Sequence, residues 1–220
     1  DKKKVKKKEM VPPGDITPLP HSQIVLFQSM IGSLLYLDGT RPDITFPVHY
    51  LARKLRSPTL ADLQQAQRTL GYALRTKDQG LVFRGSRMSE TERNTLYAYS
   101  DASFAPNGDD LHLRRSTTGY AIMMNGAAVS WTSRLQTTTA GSTVHAETTA
   151  LYSCISDAMG VRAILESLHF PQSVPCPVFE DNQGAWGNVY RAEVDYRRAQ
   201  SYDVQVWRLR EWIQSDDAAV

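Results

Sequence analysis

From Ser22 onward the apolar positions recur at helical spacing: Ile24, Phe27, Ile31 and Leu34 fall three and four residues apart, and the run stops at Asp38-Gly39. With Ser22 as N-cap, this spacing predicts a helix that turns one stripe toward a core. A second stripe of Val48, Leu51 and Leu55 can begin at Pro47, because a first-turn proline forfeits no hydrogen bond, and it ends before Pro58. A third, Leu60, Leu63, Leu70 and Leu74, fades near Gly80. Three short amphipathic helices of this kind can enclose one small core.

Beyond Gly80 the period changes. Residues 96–99 read as a buried strand running into Ser100-Asp101, and 119–124 and 127–132 flank Asn125-Gly126, the dipeptide that most strongly specifies a two-residue hairpin. A long helix follows, capped at Ser142, with Leu151, Ile155, Ala158, Leu165 and Leu168 on one stripe. Residues 174–179 form an apolar strand ending at Glu180-Asp181, and 182–190 and 202–214 read as two more helices. The order β-β-β-α-β-α-α implies an α/β mixed sheet with flanking helices, preceded by a small helical subdomain. The expected divisions are a basic tail at 1–15, a helical segment at 16–90 and a sheet domain at 91–220, with the polar residues between Arg84 and Thr95 open to proteolysis.

Hydrophobic residues are 41% and charged residues 22% of the 220, ordinary globular usage that excludes wholesale disorder, collagen and coiled coil. No apolar run reaches the roughly 18 to 20 residues of a bilayer span, so no membrane partner is expected. Cys154 and Cys176 are too few for a disulfide framework and lack the spacing of a metal knuckle, which fits a reducing, intracellular compartment. The chain opens on Asp1 with no apolar signal segment and reads as a piece of something longer. Net charge is +2, yet residues 1–8 hold six lysines and one aspartate, +5 in all, leaving −3 for the rest. The basicity is a tail, and such a like-charge block reads as a solvated linker.

Three acids sit where a purely structural reading does not want them. Asp101 and Asp181 come off the ends of apolar strands, and Glu147 lies one helical turn before Leu151 on the stripe of the long helix. A carboxylate on a buried face must be paired, hydrogen-bonded or metal-bound, because desolvating it alone costs several kcal/mol. Clustered hard oxygens suit magnesium, and two ions about 4 Å apart support in-line phosphodiester displacement. A strand-end Asp also serves turns, and a Glu in a first helical turn is favoured by the macrodipole, so spacing alone leaves both roles open. Basic and aromatic residues interleave farther on, with Arg191, Arg197, Arg198, Arg208 and Arg210 among Tyr190, Tyr196, Tyr202, Trp207 and Trp212. That stretch suits either a duplex-binding surface or an amphipathic helix burying both tryptophans.

The stretches YSDASFA (99–105), RSTTGY (115–120), VSWTSR (129–134), STVHAETTAL (142–151) and FEDNQGA (179–185) together resemble the ribonuclease H domain of copia-type LTR retrotransposon polyproteins. Upstream, MIGSLLYL (30–37), TRPDI (40–44), RTLGYAL (68–74) and GLVF (80–83) are similar to the helical thumb or connection segment of the preceding reverse transcriptase. The resemblance spans about 28–213. It implies a ribonuclease H-like fold that cleaves the RNA strand of RNA–DNA hybrids during reverse transcription. Asp101, Glu147 and Asp181 would then be the catalytic, metal-binding carboxylates for two Mg2+ ions, with Mn2+ substituting and Asp101 bridging both. Ser103, Asn182 and Gln183 would lie near the substrate, where 2′-hydroxyl and phosphate contacts distinguish RNA from DNA.

The implied partners are the hybrid and the rest of the reverse transcriptase polyprotein, in a cytoplasmic virus-like particle or the nucleus. The family's fourth acid sits in an Ala-Asp motif on a last helix after one more strand; the sequence stops at Val220 before either, and Asp216 and Asp217 fall in a polar tail. The competing reading is a catalytically weak or inactive retroelement-derived module that binds nucleic acid or serves as a scaffold.

Overall fold

A computed structural model describes residues 15–87, 89, 93–104, 114–190 and 203–220, which divide into two units. The tail expected at 1–15 lies almost wholly outside the described residues.

One unit combines 15–39 with Pro47–Gln79 and is helical. Helix α1 (His21–Asp38) buries Phe27, Ile31 and Leu34, three of the four residues of the expected stripe. Its N-cap is Pro20 rather than Ser22, and the Pro20 carbonyl accepts the N–H groups of Gln23 at 2.9 Å and Ile24 at 3.0 Å. The ring-fixed φ of proline presets that turn without a side-chain cap. Helix α2 (Thr45–Ala52) starts before Pro47, which remains in the first turn where its missing N–H has no partner to lose. Thr59 caps α3 (Leu60–Arg75) in a capping box with Asp62. The inward face of α3 is Leu63, Ala66, Thr69 and Ala73, while Leu74 is 63% exposed. The buried stripe thus keeps Leu63 but runs on through small residues, leaving Leu60 and Leu70 half-buried.

The second unit, Thr40–Phe46 with Gly80–Val220, is built on a five-stranded sheet of order β3-β2-β1-β4-β5. Strands β1 (Leu96–Ser103), β2 (Thr117–Met124) and β3 (Ala127–Leu135) are antiparallel neighbours. Strand β4 (Cys176–Phe179) runs parallel to β1, and β5 (Ala218–Ala219) parallel to β4. Helices α4 (Thr143–Ser167), α5 (Gln183–Tyr190) and α6 (Asp203–Gln214) flank it. This is the expected mixed α/β architecture, consistent with a ribonuclease H-like fold. Asn125 and Gly126 form the β2–β3 turn with φ of 54° and 82°, the doubly left-handed conformation that an Asn-Gly pair tolerates best. The Asn125 side chain and carbonyl reach back to Asn94 and Arg84, tying down both ends of the segment expected to be cleaved. Residues 88 and 90–92 of that segment lie outside the described set.

The core lies between sheet and helices, where Leu96, Ala98, Ile122 and Val178 meet Leu151, Ile155, Ala158 and Leu209. Two details differ from the sequence reading. Leu168 ends the expected stripe but is the C-cap of α4 and 59% exposed. A two-residue strand that the pattern did not show, β5, pairs with β4, Cys176 with Ala218 and Pro177 with Ala219. Two residues are too short to display a period of two, so pattern alone could not have found it.

Candidate functional site

Strand β1 runs through Ser103, so Asp101 lies within it opposite Gly119 rather than off its end. Alternation buries Leu96, Ala98, Ser100 and Ala102 and leaves Asp101 exposed. The parallel pairing of β1 with β4 matches Tyr99 to Phe179. Continued by two residues, that register brings Glu180 level with Ser100 and Asp181 level with Asp101.

Helix α4 supplies Glu147. Its start is fixed by Ser142, whose Oγ accepts the His145 N–H at 3.1 Å, and by Gln136. The buried Gln136 amide donates to Thr118 Oγ1 at 3.1 Å and to the Ala146 carbonyl at 2.9 Å, locking the residue before Glu147 against β2. His145 is buried, accepts the Gly141 N–H on Nδ1 at 3.2 Å, and has its pKa lowered by burial. Glu147 is 5% exposed, and its Oε2 has no hydrogen-bond partner among the described residues.

Burial pushes the Glu147 carboxyl up to about 7, and the charges of Glu180, Asp101 and Asp181 push the same way against a hydrogen bond from the Ala102 N–H. Glu180 is also pushed up to about 7, by burial first and then by Asp181 and Asp101, while a bond from the Asn182 N–H and the nearby Ser100 hydroxyl, which itself lies outside hydrogen-bond geometry, oppose the shift. The three acids named from the sequence thus lie within electrostatic reach of one another toward one end of the sheet, with Glu180 as a fourth, though Glu147 does not line the cleft that the others share. Glu180 was visible in the sequence only as the first half of an acidic pair ending an apolar strand. Asp101, Glu180 and Asp181 line a cleft of about 520 Å³ with Tyr99, Phe179 and Trp186. As placed, no three His, Cys, Asp or Glu side chains among the described residues meet at metal-ligand geometry. The chemistry of the donor set nonetheless fits a hard cation: carboxylate oxygens, two of them buried and without a donor.

Both glutamates carry raised folded-state pKa values, so between the unfolded carboxyl value of about 4.3 and about 7 the folded protein binds more protons. Their contribution to stability is full below that window and lost as pH rises through it. These two groups should therefore contribute about 1–2 kcal/mol more stability to the metal-free protein at pH 5.5 than at pH 7.5 after allowance for water in the cleft, against the opposite contribution of buried His145. Calorimetry at the two pH values should show the difference shrink in Glu147→Gln; an unchanged difference there would remove Glu147 as its source.

The substrate candidates are placed differently. Ser103 is exposed at the end of β1, and Gln183 is exposed in the first turn of α5. Asn182 caps α5, its Oδ1 accepting the N–H groups of Gly184 at 2.9 Å and Ala185 at 3.1 Å. Gly184 is needed for close approach, since a Cβ there would fall 2.6 Å from Val144 Cγ2 at the start of α4. Gly184→Ala should cost about 1–3 kcal/mol by overpacking, read as a lower melting temperature. Of the basic and aromatic stretch, Arg191, Tyr196, Arg197, Arg198 and Tyr202 lie outside the described residues. Trp212 packs on the core beneath Arg208, whereas Trp207 is 51% exposed, so the two tryptophans are not both buried.

Comparison with known proteins adds the context. The chain is 32% identical over 160 residues to the retrovirus-related Pol polyprotein of transposon RE1 from Arabidopsis thaliana, covering 72% of this chain and 10% of that protein. It is 29% identical over 208 residues to the corresponding polyprotein of transposon TNT 1-94 from Nicotiana tabacum, covering 94% of this chain and 14% of that one. These relatives are retrovirus-related Pol polyproteins of transposons, and the chain is similar to one segment of them, which fits a retrotransposon polyprotein fragment. It spans about a tenth of the length of the first of these relatives. It also matches a shorter protein named secreted RxLR effector protein 161 from Plasmopara viticola, 35% identical over 136 residues, 61% of this chain and 90% of that one. No family model matches the chain, and no solved structure matches it. Among the described residues no helix is long and apolar enough to cross a membrane.

Proposed function

We propose that this Pol-related chain is a ribonuclease H that cleaves the RNA strand of RNA–DNA hybrids, using Asp101, Glu147 and Asp181 to hold divalent cations. The observation that carries the reading is Glu147, a carboxylate 5% exposed with a bare oxygen, set among other acids at the end of the sheet. Such a group is costly unless a proton or a cation satisfies it. Bound magnesium ions would supply the activation of water and the stabilisation of the departing oxygen.

The chain's own residues perform the positioning. Gln136 and Ser142 fix the first turns of α4 and with them Glu147; Asn182 and Gly184 fix the turn that carries Asp181 into α5. Tyr99 and Phe179, stacked with centroids 5.1 Å apart, and Trp186 give the cleft a wall against which a sugar or base can pack. Ser103 and Gln183, exposed near the acids, are free to contact the sugar-phosphate backbone. The test is cleavage of an end-labelled RNA–DNA hybrid with Mg2+ or Mn2+, against single-stranded RNA and DNA duplex as controls; equal or absent cleavage of all three would overturn the reading.

A second reading, a non-catalytic module, draws on the absence of three converging ligands among the described residues and on the Plasmopara relative that this chain covers by 90%. In the same experiment it appears as hybrid binding without cleavage, or as neither.

A further inference from the structure

The acid that sequence reasoning passed over is the one in closest electrostatic contact with Glu147. Strand alternation turns Val178 inward and Phe179 outward, so Glu180, next in line, returns to the side where α4 packs. Glu180 Oε1 accepts the Asn182 N–H at 3.1 Å, and its Oε2 is buried with no partner among the described residues. Glu147 presents the same situation from α4, with a buried and partnerless Oε2 on a side chain 95% removed from solvent. The cleft that holds Glu180 also holds Asp101 and Asp181. Two bare carboxylate oxygens, of Glu147 and Glu180, thus lie on the α4 side at the end of the sheet whose cleft Asp101 and Asp181 line, although as placed no three of these acids meet at metal-ligand geometry.

From this placement we infer that Glu180 is the fourth carboxylate of the site and a direct ligand of a divalent cation held together with Asp101, Glu147 and Asp181. The inference deepens the nuclease reading and rests on it. A four-carboxylate set supplies enough negative charge for two hard cations, whereas three carboxylates leave a second ion weakly held.

The test is Mn2+ binding to the full chain by isothermal titration calorimetry and by electron paramagnetic resonance of the free ion. Glu180→Gln should weaken binding ~10- to 100-fold, at least the loss seen when an outer-shell partner of a metal ligand is removed. Glu180→Asp keeps the charge but withdraws the oxygens by one methylene, and a direct ligand should lose affinity there too. Glu166→Gln, exposed on the distal part of α4, should bind as the parent does. Thermal melting without metal checks folding, and relief of repulsion should leave Glu180→Gln at least as stable as the parent.

Parent-like binding by Glu180→Asp would reduce Glu180 to a field effect and overturn the ligand role. Parent-like binding by Glu180→Gln alongside loss in Asp101→Asn would overturn it while leaving the three-acid nuclease reading standing. No Mn2+ binding by the parent at millimolar concentration would remove both.

Discussion

Asp101→Asn should reduce metal-dependent cleavage of an RNA–DNA hybrid by about 100- to 1000-fold while the protein remains folded. Asp101 sits in the middle strand of the sheet, paired with Gly119 through backbone groups, so an isosteric amide leaves the ladder intact. What changes is charge. Removing one carboxylate relieves the repulsion that Asp101 exerts on Glu147 and Glu180, and the metal-free variant should melt at or slightly above the parent. The cation site loses a ligand at the same moment, and a deleted electrostatic contact to developing charge commonly costs 100- to 1000-fold in rate. Opposite movements of stability and activity are the signature, because a merely structural aspartate would lose both together. Cleavage by Asp101→Asn within tenfold of the parent would sink the proposed role.

The two classes of information in the sequence had different reach. Elements written in local chemistry were legible: Asn125-Gly126 between two apolar runs could only be a tight hairpin, and Ser142 before a 3.6-period stripe could only open a helix. Boundaries set by tertiary contact were not. Pro20 displaced Ser22 as the cap of α1, and α3 turned Ala66, Thr69 and Ala73 inward beside Leu63 while leaving Leu74 exposed, because which face is buried is decided by the neighbour it packs on. The acids show the same division. Asp101, Glu147 and Asp181 stood out as charges against apolar surroundings, but that test considers one element at a time. Glu180 becomes conspicuous only when β4 is laid beside β1 and α4 is packed over both, and Gln136 only when its amide is seen to hold Ala146.

The same packing makes the site depend on residues that touch no acid. Leu151 lies one turn beyond Glu147 on α4, is fully buried, and belongs to the cluster that includes Leu96, Ala98, Ile122 and Val178. Leu151→Ala should cost about 2–5 kcal/mol, the loss of transfer energy plus the cavity left between helix and sheet. For a chain of this size that corresponds to a melting temperature lower by about 5–15 °C. Leu168→Ala, removing an equally large side chain that is 59% exposed on the same helix, should stay within about 0.5 kcal/mol of the parent. Leu151→Met, which conserves volume, should lose less than about 1.5 kcal/mol. Because β1 and β4 meet α4 through this cluster, loosening it also frees Glu147 to drift from Asp101 and Glu180. Mn2+ affinity in Leu151→Ala should therefore fall even at temperatures well below its melting point, whereas in Leu151→Met it should not. A Leu151→Ala protein that melts within 2 °C of the parent would mean that the core holding the carboxylates together lies elsewhere.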